Sequence, residues 1–310
     1  MCDIVYHYTS PDGILGILKN KTLRFTDCQY LNDKGEFVYI RVPFEKAYKK
    51  IIQERGESDE NLDGFIDEFF ISPYVYLSFK NNVNKNSSSK KFSIGYNRYY
   101  VLCTSINPDT ANMWNYYVKN GIYQGYNLGI DRNFINERFS NCRNNEIEFI
   151  DGKVIYDEKE QIKMIYTKLK ELLAQFDERK RLIDDDDDYS HEMNIQDFQE
   201  NLYGYIHEQK LFFKNPAFLG EEEYRFILKV DNEFSGDNKL SIDFRVGESG
   251  IITPYIEWKY TLSEKENLFK QITLAPMIES NLAEESFKRF LANTVHKKIE
   301  IKQSSIKLRF

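Results

Sequence analysis

Three short clusters hold the side chains that can do chemistry. The first is Tyr6-His7-Tyr8-Thr9, where alternation along an extended segment puts His7 and Thr9 on one side. A histidine near a strand end can bond a ligand hydroxyl without changing charge. From the sequence alone, an internal histidine bonded to backbone is the reading that comes first. The second is Met113-Trp114-Asn115-Tyr116-Tyr117. Helical spacing brings Trp114 and Tyr117 together, as a wall for a flat ring or as plain core. The third is Glu221-x-Glu223-x-Arg225. Two carboxylates beside an arginine suit charge stabilisation or proton transfer, and they also suit a solvated sheet face of mixed charge.

Other chemistries find less support. The sequence has no G-x-S-x-G elbow, no G-x-x-x-x-G-K-[ST] and no G-x-G-x-x-G. The four histidines and four cysteines show no metal-ligand spacing, so no metal site is expected. Cys2, Cys28, Cys103 and Cys142 lie scattered, which argues against a disulfide framework and fits a reducing cytoplasm. Residues 1–25 show no secretory leader, and no apolar run is long enough to span a bilayer. A cytoplasmic protein without a membrane partner is therefore expected. With 42 Lys+Arg against 49 Asp+Glu the net charge is −7, which gives no global attraction to nucleic acid. An apolar fraction of 41% is too high for a disordered chain, and 310 residues suffice for a sizeable core.

The elements that must position these clusters follow from periodicity. Residues 4–9 read as a strand. Ser10-Pro11 caps a helix carrying Ile14, Leu15 and Leu18, and 22–26 reads as the next strand. Further strands are expected near 99–104, 125–130, 222–230 and 298–309. Segments 251–256 and 272–276 are also strand-like, and a helix is expected from Ser280 to Asn293. Thr110 is placed to cap a short helix, and the polar run 81–91 reads as a loop. Two helical stripes within 157–210 flank five aspartates, Asp184 to Asp188, and describe a helical hairpin with an acidic tip. Contiguous aspartates lack the alternation and the glycine of a calcium loop. The whole of 1–310 is expected to be one mixed α+β domain with this hairpin inserted.

The clusters, taken in order, resemble a widespread bacterial domain family of unknown function, the one numbered twenty-nine seventy-one. The resemblance rests on Tyr6-His7-Tyr8-Thr9-Ser10, Ile17 to Phe25, Leu31-Asn32-Asp33 with Glu36, Met113-Trp114-x-x-Tyr117 and Gly125-Tyr126-Asn127-Leu128. It continues through Phe213-Lys214, Glu221-x-Glu223-Tyr224-Arg225, Leu274-Ala275-Pro276 and Ser305-Ile306-x-Leu308-Arg309. The opening strand, helix and strand also look like the NAD-binding start of ADP-ribosyltransferases, closest to the DNA-targeting toxin and RNA 2′-phosphotransferase types.

That resemblance implies a split, antiparallel-rich sheet with peripheral helices, and NAD as a substrate. It implies catalytic roles for Glu223, Glu221 and His7. His7, Thr9, Arg24, Trp114, Tyr117, Tyr126 and Arg225 would bind the dinucleotide. In that superfamily the stacking tyrosine lies on a strand. Tyr117 follows a helix-like stretch, and Tyr126 is the substitute. A carboxylate near the ribose would stabilise the oxocarbenium character that builds as the nicotinamide bond breaks. The expected activity is ADP-ribose transfer to a protein or nucleic-acid acceptor, in a toxin or antiphage setting with a regulatory or antitoxin protein. The alternatives are a non-catalytic nucleotide- or protein-binding module, an NAD glycohydrolase, or a metal-dependent nuclease using Glu36, Glu221 and Glu223.

Overall fold

The computed structural model describes residues 3–31, 35–56, 98–117, 124–140, 147–184, 186–230, 234, 236, 239–247, 250–263, 266–278, 280–294 and 299–307. The polar run 81–91 lies outside them, as do the side chains of Glu36 and Tyr117. The chain separates into two compact units. One comprises 1–31, 95–153 and 219–310, and the other 32–94 and 154–218.

The first unit is built on a large, mostly antiparallel sheet with helices on it. The strands are β1 (Ile4–Thr9), β2 (Thr22–Asp27), β3 (Arg98–Ser105), β4 (Tyr126–Asp131) and β5 (Ile147–Lys153). They continue with β6 (Glu223–Val230), β7 (Leu240–Val246), β8 (Ile252–Lys259), β9 (Phe269–Leu274) and β10 (Glu300–Gln303). The path runs β10-β9-β4-β1-β3-β2-β8-β7, with β6 and then β5 branching from β3. Among the described strands only β10 with β9 is parallel. The helices are α1 (Pro11–Asn20), α4 (Ala111–Tyr117), α5 (Arg132–Ser140) and α8 (Ser280–Ala292).

Local chemistry fixes these elements. Ser10 caps α1 by accepting the Gly13 N–H at 3.1 Å, with Pro11 at the first helical position. Lys21 ends α1 in the left-handed region, φ 57°, and its N–H bonds the Ile17 carbonyl. Alternation then turns Leu23, Phe25, Tyr100, Leu102, Phe226 and Leu228 into the main core.

The second unit is helical: α2 (Glu36–Tyr39), α3 (Arg41–Arg55), α6 (Glu158–Leu182) and α7 (Asp188–Gln209). Asp157 caps α6 through the Lys159 and Glu160 N–H groups, and Asp187 caps α7 through Ser190. Phe44 and Ile51 pack with Ile165, Leu169, Leu202 and Ile206. Gln161, fully buried, ties the unit together. Its amide donates to the Ile155 and Lys214 carbonyls, and its oxygen accepts the Tyr39 hydroxyl at 3.0 Å.

The segment 157–210 holds the two helices α6 and α7. The expected strand over 298–309 is much shorter. It ends at Gln303: Ser304 still donates its N–H to the Leu274 carbonyl, but its hydroxyl and the Ser305 N–H turn to Asp109. Strands β5 and β7 complete the sheet beyond the expected set.

Candidate functional site

The sheet splits beside β3. One edge of β3 is paired along its whole length with β6. Its other edge is shared: β1 touches it only at Tyr6↔Ser105, and β2 only at Thr26↔Val101 and Asp27↔Tyr100. The Ile106 N–H to Glu222 carbonyl bond assigns even-numbered backbone groups of β3 to β6. Odd-numbered groups face the other edge, so the Cys103 carbonyl opens into the gap between β1 and β2. His7 fills that gap, its Nδ1 at 3.1 Å from the Cys103 carbonyl.

This contact fixes the histidine chemically. A carbonyl only accepts, so Nδ1 carries the proton. Burial holds the imidazole pKa below its usual value, opposed by the Cys103 bond and reinforced by the nearby Arg245 guanidinium. The neutral ring therefore leaves Nε2 as a bare acceptor, able to take a ligand hydroxyl.

Strand register sorts the other candidates. Tyr6, Ser105 and Glu223 align across three strands, and Cys103 aligns with Arg225. Val101, Thr26, Tyr255 and Asp243 align likewise, as do Arg24 and Glu257. All of these stand on one face, with Arg245 beside them on β7. His7 and Thr9 belong by parity to the opposite, apolar face. The structure thus brings Arg24, Glu223 and Arg225 to one face, and His7 meets that face only through the split.

Each member has its own environment. Glu223 and Arg225 form an ion pair whose side chains are 2% and 1% exposed. Arg225 Nε and Nη2 both donate to Glu223 Oε2, at 2.8 and 2.5 Å. Glu221 is also buried, in the 3-10 turn that precedes β6, and its carbonyl accepts the Ser105 hydroxyl. Between them Glu222 takes a left-handed backbone, φ 45°, held by the Asn107 amide on its carboxylate at 2.8 Å. Arg24 is exposed, bonded to Glu257 at 3.2 Å and lying 4.7 Å from the Tyr255 ring centre. Arg245, also exposed, donates to the Thr26 hydroxyl at 3.0 Å.

The aromatic candidates divide between the faces: Trp114 packs on Tyr8, which shares the parity of Tyr6, whereas Tyr126 shares that of Thr9. Trp114 is fully buried, edge-on to Tyr8, and its indole N–H donates to Asp109 at 2.7 Å. Both rings belong to a small core with Met113 and Ala275, so the structure gives Trp114 a packing role rather than an open stacking surface. Tyr126 lies against Phe287, 4.9 Å between centres, at the edge of the main core. Thr9 abuts α1: a Cβ at Gly13 would come within 2.1 Å of its hydroxyl. Asp109 fastens the loop between β3 and α4. Burial pushes its pKa up, but bonds from Trp114, Ser304 and Ser305 outweigh that and hold it low.

Sequence reasoning missed Arg245, Thr26, Tyr255 and Asp243. Their signal was the alternating β7 pattern Ser241-x-Asp243-x-Arg245, which needs the β2–β8–β7 order to acquire meaning. Among the described residues no three His, Cys, Asp or Glu side chains gather to hold a metal ion. No described helix is long and apolar enough to cross a membrane.

A family model described as a protein of unknown function (DUF2971) matches residues 113–226. The matched span runs from within α4 into β6 and includes Glu221, Glu223 and Arg225. Neither a curated protein nor a solved structure gives a match to the chain.

Proposed function

We propose that the chain is an ADP-ribosyltransferase-like enzyme that binds NAD at the split in its sheet and passes ADP-ribose to a macromolecular acceptor. The observation that carries this reading is His7, held neutral in the split with Nε2 free to accept a ribose hydroxyl. Arg24 and Arg245 supply exposed positive charge for a diphosphate on the adjoining face. In the reaction the bond between nicotinamide and ribose breaks, and nicotinamide leaves with the bonding electrons. The acceptor then attacks the ribose carbon and loses a proton. Glu223 stabilises the positive charge at the ribose, and Arg225 keeps that carboxylate anionic. Glu221 would help activate the acceptor. A bacterial toxin or antiphage role with a regulatory protein fits such an activity.

A second reading, a nucleotide-binding module without catalysis, is favoured by one observation: Glu223 is 3% exposed and clamped by Arg225. The two readings separate in one experiment. Nicotinamide release from NAD is measured for wild type, Glu223→Gln and His7→Ala, with and without cell lysate, beside NAD binding by calorimetry. Release that depends on both residues supports the enzyme, and a lysate requirement points to the macromolecular acceptor. Binding lost in His7→Ala, with no release from wild type, supports the module. Absence of binding overturns both.

A further inference from the structure

Asp109 is bonded at both carboxylate oxygens. Oδ1 accepts the Trp114 indole N–H and the Ser304 hydroxyl, each at 2.7 Å. Oδ2 accepts the Ser305 N–H at 2.7 Å and the Ser305 hydroxyl at 2.9 Å. The two serines differ in what else they do. Ser304 is buried, and its oxygen also accepts the Ile306 N–H at 3.1 Å. Ser305 is exposed, and its oxygen accepts no bond from the described residues. A hydroxyl with an open lone pair, its proton on a carboxylate that a third group orients, is the arrangement of an activated nucleophile. Trp114, fully buried, is the orienting group. The pair stands at the end of β3 that meets the acidic triplet. The Ser105 hydroxyl donates to the Glu221 carbonyl, the Asn107 amide donates to the Glu222 carboxylate at 2.8 Å, and the Asn107 side-chain oxygen accepts the Asp109 N–H at 3.1 Å. Ile306 packs on the Tyr8–Trp114 core, which Tyr6 also touches, and Tyr6 is in register with Ser105 and Glu223. Neighbouring hydroxyls are committed elsewhere: Ser105 is buried, and Thr104 gives its proton to the Tyr224 carbonyl.

We propose that Ser305 is a modification site, an acceptor of ADP-ribose in the protein's own chain. The inference rests on the NAD reading above and names one acceptor for it. The bond between nicotinamide and ribose breaks, and nicotinamide leaves with the bonding electrons. A lone pair of Ser305 Oγ forms the new bond to that ribose carbon. The hydroxyl proton passes to Asp109 Oδ2 and from there to water. The donors around Asp109 hold its pKa low, which is no obstacle: an electron-poor ribose carbon takes the oxygen before the proton has left. The product is an O-glycoside. It removes the Ser305 hydroxyl proton from the bonds on Asp109 and sets a diphosphate beside that carboxylate. Self-modification therefore loosens the C-terminal segment from the loop after β3 by lost hydrogen bonding and like-charge repulsion.

The test incubates the full chain with NAD, without lysate, and reads both nicotinamide release and the modified residue by mass spectrometry of the intact chain and its peptides. Wild type is expected to gain one ADP-ribose on Ser305. The label should survive neutral hydroxylamine, which strips an ester formed on Asp109 or a glutamate. In Ser305→Ala incorporation is expected to fall at least about tenfold, and Asp109→Asn, which cannot take the proton, should slow it about a hundredfold. Ser190→Ala is the control: its hydroxyl also meets a carboxylate, Asp187 at 2.6 Å, but in the helical unit, and incorporation should not change. Incorporation unchanged in Ser305→Ala overturns the proposal. So does a label confined to another residue, or nicotinamide release by a wild-type chain that stays unmodified; the NAD reading survives all three. No release with or without lysate overturns the NAD reading, and this inference with it. If circular dichroism shows Asp109→Asn unfolded, Ser305→Ala decides.

Discussion

His7 reaches the Cys103 carbonyl in the gap between β1 and β2. One side chain therefore satisfies the backbone and, by fixing its own tautomer, offers a defined acceptor. The Glu223–Arg225 pair is the other residue-scale feature with large consequences. Both charges are desolvated, so removing one strands the other. Glu223→Leu or Arg225→Leu is expected to cost about 3–5 kcal/mol in urea denaturation, whereas the double replacement costs much less. Additive losses from the two single variants would show that the pair is not coupled. The common face of Glu223 and Arg225 is legible in the sequence, because period-two alternation depends on local spacing alone. Their burial is not. A charged triplet reads the same on a solvated face, and only distant segments decide which it is.

The split in the sheet is an element-scale property, arising because β1 and β2 are joined by α1 and compete for one edge of β3. The strand–helix–strand opening is legible, since Ser10, Pro11 and the apolar stripe are local signals. β5 escaped because Asp151-Gly152 interrupts its alternation. β7 escaped although Leu240, Ile242, Phe244 and Val246 alternate cleanly. The pairing of β2 with β8 joins residues more than two hundred positions apart, which no local period reports. Lys21 gives the prediction at this scale. A lysine in the left-handed region bears a steric cost that glycine avoids. Lys21→Gly is expected to stabilise the protein by about 1 kcal/mol, read as a higher denaturation midpoint at unchanged slope. A loss of stability would mean that the exposed lysine side chain outweighs its backbone.

At the scale of the whole molecule, each compact unit contains an imidazole that folding keeps neutral. Burial, with Lys210 nearby, lowers the His207 pKa from 6.5 to about 2, and the ring lies 4.3 Å from that of Tyr203. His7 is lowered in the same direction. Below pH 6.5 the unfolded chain takes up protons that these folded sites refuse, so stability falls as pH drops from there towards the folded pKa values. The slope is at most about 1.4 kcal/mol per pH unit for each proton withheld. Melting temperature is expected to decline between pH 6.5 and about pH 5, before most carboxylates titrate. His207→Phe keeps an aromatic ring there and should flatten that decline. An unchanged pH profile in the variant would remove His207 as the cause.

Asp109 also bears on the order in which the protein is made. Its partners Ser304 and Ser305 lie 195 and 196 residues further along the chain. During synthesis the loop after β3 emerges long before the hydroxyls that fasten it, with Trp114 as its early anchor. Ribosome-bound chains stalled ahead of Ser304 would therefore carry a protease-sensitive loop between β3 and α4. Its closure waits on those two serines, so the loop stays unfastened on that side until they have emerged.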